Sequence, residues 1–173
     1  MEQNIYLTNM FPDYVPPEEL MMALSQAAIV AADIDPENRA VSVAVHSDAY
    51  IPQRLLDQAS REISSLYGLK RLEITAAHPE TELQKIEPEE LMMLFVSRNS
   101  MTRGSLAGAV WHWDEHVLTV KLLGNGLKVL EECVPSVQWE LSRRFGASVE
   151  IRFEAGNALE DRVSGRVSDF ELV

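Results

Sequence analysis

His112, Asp114, Glu115 and His116 are the densest set of side chains in this chain that could bind a metal or move protons. A catalytic zinc needs three protein ligands converging on one open position. The spacing predicts otherwise: a hairpin here puts His112 and His116 on opposite arms and Asp114 and Glu115 in the turn, where acids are solvated. Trp111 and Trp113, at i and i+2 of a strand, share a face and could stack on nucleic-acid bases. A strand that must also pack on helices more commonly spends its tryptophans on the core, so helix cover is expected over both. Arg143, Arg144 and Arg152 are the best candidates for a local basic patch. Arginines near a helix C-terminus more often complement its dipole, and that is the expectation here. These five residues, Trp111, Trp113, Arg143, Arg144 and Arg152, are the contact candidates. Catalytic, cofactor-binding and metal-ligating residues are expected to be absent. Cys133 sits among Glu131 and Glu132, whose charges oppose thiolate formation, and neither a phosphate loop, a dinucleotide-binding glycine turn, a nucleophile elbow nor a zinc-protease helix occurs.

The elements that would carry these residues follow from a duplication. Pro17-Glu18-Glu19-Leu20-Met21-Met22 recurs letter for letter as Pro88-Glu89-Glu90-Leu91-Met92-Met93, and proline followed by two glutamates starts a helix. In the first half, residues 27–34 and 40–46 flank the turn-forming Asp35-Pro36-Glu37-Asn38, which predicts a hairpin. Ser47 or Asp48 is expected to cap a helix with Pro52 in its first turn and Ile51, Leu55, Ala59, Ile63 and Leu66 as its apolar stripe. Gly68 ends that helix, and residues 69–75 read as a strand.

In the second half, residues 106–113 and 116–122 form the matching hairpin. Asn125 is expected to cap a long helix striped by Leu127, Leu130, Val134, Val137, Leu141 and Phe145, with a kink or restart at Pro135. Gly146 closes it. The helix ends align too, Glu62-Ile63-Ser64 with Glu140-Leu141-Ser142 and Tyr67-Gly68 with Phe145-Gly146; Leu72-Glu73-Ile74 matches Val149-Glu150-Ile151. The expected fold is α+β, two tandem α-β-β-α-β units that each pack a small sheet on two helices: residues 1–78, then 79–156, with 157–173 as a flexible tail or linker. Residues 76–82 suit the connection, and Met92, Met93 and Met101 suit adaptable core filling.

Composition narrows the function classes. The formal charge is −12 over 173 residues, and a division after Glu80 leaves 5 basic against 12 acidic residues, then 10 against 15. Nonspecific nucleic-acid binding depends on Lys and Arg releasing counterions from phosphates, so acid excess in both halves argues against a general DNA grip. One cysteine permits no internal disulfide, no apolar run approaches the about 20 residues that span a bilayer, and no basic leader precedes an apolar core. A cytoplasmic protein without membrane contact is expected.

Two copies of this order resemble the two small N-terminal domains of PolC-type DNA polymerase III from Gram-positive bacteria. The resemblance rests on Leu91-Met92-Met93-Leu94-Phe95, Val117-Leu118-Thr119-Val120, Trp139-Glu140-Leu141-Ser142-Arg143-Arg144-Phe145-Gly146 and Val149-Glu150-Ile151. It covers residues 5–155 and is one of pattern and segment order. It implies a non-catalytic accessory and interaction module of a replicative polymerase, without cofactor, whose parent chain copies DNA and proofreads it 3′ to 5′. The family's metal-binding carboxylates lie in later domains and have no counterparts here. The implied partners are replisome proteins, the clamp-loader tau subunit first; direct nucleic-acid binding by this segment is doubtful. The alternative is a KH-like single-strand binder, which would need a G-x-x-G loop and a basic groove that the sequence lacks.

Overall fold

A computed structural model of the chain describes residues 5–155. Its helices and two mixed three-stranded sheets make an α+β fold, and the tandem order is present. The chain divides into two compact units. One runs to Ile86 and takes in Arg144–Gly146; the other holds Glu87–Arg143 and continues from Ala147. The expected tail, 157–173, lies outside the described residues.

In the first unit, α1 (Leu7–Met10) and α2 (Glu18–Leu24) precede β1 (Ala28–Asp35), β2 (Ala40–His46), α3 (Gln53–Tyr67) and β3 (Arg71–Ala77). β2 is central, antiparallel to β1 and parallel to β3. Val41, Val43 and Val45 alternate onto the buried face as the period-2 pattern requires, and meet Leu55, Leu56, Ala59 and Ile63 of α3 in one core. The β1–β2 turn is held by Asp35, whose carboxylate accepts the Asn38 side-chain amide at 2.7 Å. Gly68 closes α3 in the left-handed conformation, φ 68°, and Leu69 N–H returns to the Ser64 carbonyl at 2.9 Å.

Three expectations change in this unit. Ser47 and Asp48 do not cap α3: the helix starts after Pro52, while the buried Ser47 hydroxyl donates to the Ala49 carbonyl at 2.7 Å. Leu66 is 53% exposed, so the apolar stripe stops one turn early. The segment expected to link the domains is structured, which moves the boundary from residue 78 to Ile86. His78 is buried, and Glu80–Lys85 is a 3-10 helix. Imidazole Nδ1 donates to the Ser47 carbonyl at 3.0 Å and Nε2 faces Ile51 N–H at 3.5 Å, which orients the ring.

The second unit repeats the plan: α4 (Pro88–Val96), α5 (Thr102–Leu106), β4 (Val110–Asp114), β5 (Val117–Leu122), α6 (Leu127–Phe145) and β6 (Glu150–Ala155). β5 is antiparallel to β4 and parallel to β6, the same pairing as in the first sheet. Leu20 of α2 and Leu91 of α4, equivalent in the two copies, are both buried, and Gly146 repeats the left-handed geometry of Gly68 with φ 64°.

Here Leu106 belongs to α5 rather than to the strand, because Gly108 at φ 75° turns the chain before β4. α6 runs through Pro135 without restarting. The bond this costs faces solvent, where both Pro135 and the Glu131 carbonyl's own residue are exposed and water can serve the carbonyl. Asn125 is not the residue that opens α6: the Gly126 carbonyl accepts Leu130 N–H at 3.1 Å. Leu127 is exposed, and Met93 and Met101 are exposed rather than core filling; only Met92 is half-buried.

Candidate functional site

The β4–β5 turn is Glu115-His116, with Glu115 at φ 56°. His112 points to the face of the sheet away from the helices, opposite Thr119, while the backbone carbonyl of His116 accepts Glu150 N–H at 2.9 Å. Among the described residues no group of three His, Cys, Asp or Glu side chains is placed to hold a metal ion.

Trp111 and Trp113 alternate onto the other face with Leu118 and Val120, the two residues that pair with them across the ladder and are fully buried. Trp111 lies 6.4 Å from the Phe95 ring of α4, and both tryptophans are half-buried. Trp111 faces α4 through Phe95 and neither tryptophan is fully exposed, so this pair is no open stacking platform of the kind single-strand binders use.

The three arginines are on different surfaces. Arg144 is 4% exposed and its guanidinium packs 5.6 Å from the Phe145 ring. Arg143 is ion-paired with Glu140 one turn earlier on α6. Arg152 is ion-paired with Glu150, two residues before it on β6, and this hydrogen-bonded contact raises its already high pKa further. The row of side chains around Arg152 carries Asp114, Glu150 and Glu154 against Lys121, so the open face of this sheet is not positive. Cys133 is buried in the α6 stripe.

The titratable groups that are perturbed serve the scaffold. Tyr50 N–H donates to Glu82 at 2.8 Å and Lys85 Nζ lies 3.0 and 3.2 Å from its two oxygens; the amide first and the lysine next hold the Glu82 carboxyl below its usual range. Tyr14 donates to Glu62, which also accepts from Gln58 at 3.1 Å. Burial first, then this hydrogen bond and the glutamate's charge, push the Tyr14 phenol up, while Glu62 is held low by the same phenol and then by Gln58.

Trp139, by contrast, is 65% exposed. It borders a groove of about 550 Å³ between α4 and α6, with Leu94 and Val137 in its floor and Ser97, Arg98, Ser136 and Glu140 along its sides. The guanidinium of Arg143 lies 5.6 Å from the centre of the Trp139 ring. The sequence carried a signal for it: Trp139 falls outside the stripe Leu130, Val134, Val137 and Leu141, on the solvent side of the helix.

The sequence matches no protein-family model and no curated protein.

Proposed function

We propose that this chain is a non-catalytic N-terminal accessory and interaction module of a PolC-type DNA polymerase III, acting in the cytoplasm through contacts with replisome proteins. The observation that carries the reading is the repeat: one unit, with one strand order and one pairing pattern, occurs twice in the segment order on which the resemblance rests. The electrostatics support protein rather than DNA as the partner. Arg143 and Arg152 are each matched by a glutamate, Arg144 is buried, and the chain carries −12. Among the described residues no helix is long and apolar enough to cross a membrane.

On this reading the segment turns over no substrate, and synthesis and proofreading reside in later domains of the parent chain. Its first partner is the clamp-loader tau subunit. The test of the family is the coding sequence beyond the Val173 codon: an OB domain followed by the polymerase carboxylates supports the proposal, and an immediate stop codon removes its main support.

A further inference from the structure

We infer that the groove between α4 and α6 is a docking site for an amphipathic helix of a protein partner that presents a carboxylate to Arg98. This rests on the reading of the chain as a protein-contact module and gives that module a surface and a partner chemistry.

The groove is walled by helix on both sides. On one side Leu94 of α4 and Ser97 and Arg98 of the helical turn that follows its end stand at i, i+3 and i+4; on α6, Ser136, Trp139 and Glu140 have the same spacing. Two such ridges leave a furrow into which the side-chain ridge of a third helix fits. The walls' backbone groups are mostly bonded within their own helices, so the occupant must satisfy its own N–H and C=O groups, which a helix does and an extended strand does not.

Trp139 supplies the anchor. A tryptophan buries about 150 to 250 Å² when covered, and Trp and Arg dominate the centres of protein interfaces. Its ring is held beforehand, since Arg143 packs on it and Arg143 is itself tied to Glu140, so less side-chain freedom is lost when a partner arrives.

The charge of the occupant follows from what these contacts leave over. Glu140 and Arg143 neutralise each other, whereas Arg98 is exposed and has no ion pair among the described residues. The groove therefore carries one uncompensated cation on a chain of net charge −12. An acidic residue on the partner helix pairs with it, whereas a basic residue at that place faces the Arg98 charge unpaired.

The test uses the full chain and two synthetic peptides of about 15 residues, long enough for four helical turns. Both carry leucines at i, i+3, i+4 and i+7; one has glutamates on the flanking positions and its twin has lysines. The glutamate peptide is expected to shift the amide resonances of Leu94, Ser97, Arg98 and Ser136 and the indole resonance of Trp139. The lysine twin should bind about tenfold more weakly. Arg98→Glu should reverse that preference, and Trp139→Ala should weaken the glutamate peptide about tenfold or more; unchanged melting temperatures establish that both variants fold. Equal binding of the twins, shifts confined to other surfaces, or no response at millimolar peptide overturns the inference. So does perturbation of these resonances by single-stranded DNA, or by raising the concentration of the chain alone. Tau binding that leaves the groove resonances unmoved would sink this inference and leave the proposed function standing. A groove that takes the acidic peptide on a chain that binds no replisome protein would do the opposite.

Discussion

Arg143 stacks its guanidinium on the ring of Trp139, four residues before it on α6, at 5.6 Å from the ring centre, while its charge is met by Glu140. A residue expected from sequence to complement the end of a helix thus also holds an exposed aromatic. Two consequences follow for any functional reading: the positive charge of Arg143 is already spent, and the apolar surface of Trp139 is not.

The division between scaffold and surface is measurable. Phe95 is completely buried and touches both Trp111 and Phe153, so Phe95→Ala should cost about 3 to 5 kcal/mol through lost burial and the cavity left behind. Trp139→Ala should change stability by no more than about 0.5 kcal/mol. Urea denaturation of the two variants gives both numbers, and a large cost at Trp139 would mean that its ring belongs to the core.

Gly126 is fixed by its neighbours. It has φ 102°, and a Cβ there would come within 2.0 Å of the Ser105 hydroxyl oxygen and 3.0 Å of its Cβ. Gly126→Ala should therefore destabilise by about 2 to 4 kcal/mol, combining backbone strain with overpacking. Adding Ser105→Gly removes both of these Ser105 atoms and should restore the packing share alone, so the double variant should fall between wild type and Gly126→Ala in a thermal melt.

Acid should loosen the first unit through Glu82. Its folded pKa lies below the unfolded value, because Tyr50 N–H and Lys85 favour the carboxylate. Its stabilisation is thus fully present above the unfolded carboxyl pKa, about 4.3, and is lost as pH falls through the lower folded value. Glu82→Gln should be less stable than wild type at pH 7, with the gap closing as the pH drops below about 4. A gap that stays constant across this range would show that the carboxylate's charge contributes nothing.

Much of this architecture was legible in the sequence, and the reasons are local. The alternation of Val41, Val43 and Val45, the left-handed closures at Gly68 and Gly146, and the duplicated helix starts each state a backbone geometry in residue types. What was hidden lacks a period. α1 and α5 are a single turn or so and show no stripe, and the 3-10 helix at Glu80–Lys85, with the buried His78 before it, sits in a stretch that reads as loop. The candidate residues fared similarly. Strand alternation places Trp111 and Trp113 on one face, but nothing in the spacing of Arg143, Arg144 and Arg152 says that the middle one is buried. Met101, 71% exposed, shows that a methionine's hydropathy does not locate it.

Single-stranded DNA should bind weakly. Labelled oligonucleotides at low salt are expected to show no submicromolar, salt-sensitive anisotropy change, because the open face of the second sheet sets Asp114, Glu150 and Glu154 against Lys121 and Arg152. Tight binding that weakens steeply with added salt would revive the KH-like alternative.

The central claim is tested most directly by calorimetric titration of the chain with the cognate tau subunit and, separately, with the remainder of the polymerase, all three proteins shown to be folded. Saturable binding to at least one of them, persisting at about 0.15 M salt where weak surface charge attraction is screened, is the predicted result. Absence of heat and of co-elution with both would contradict it.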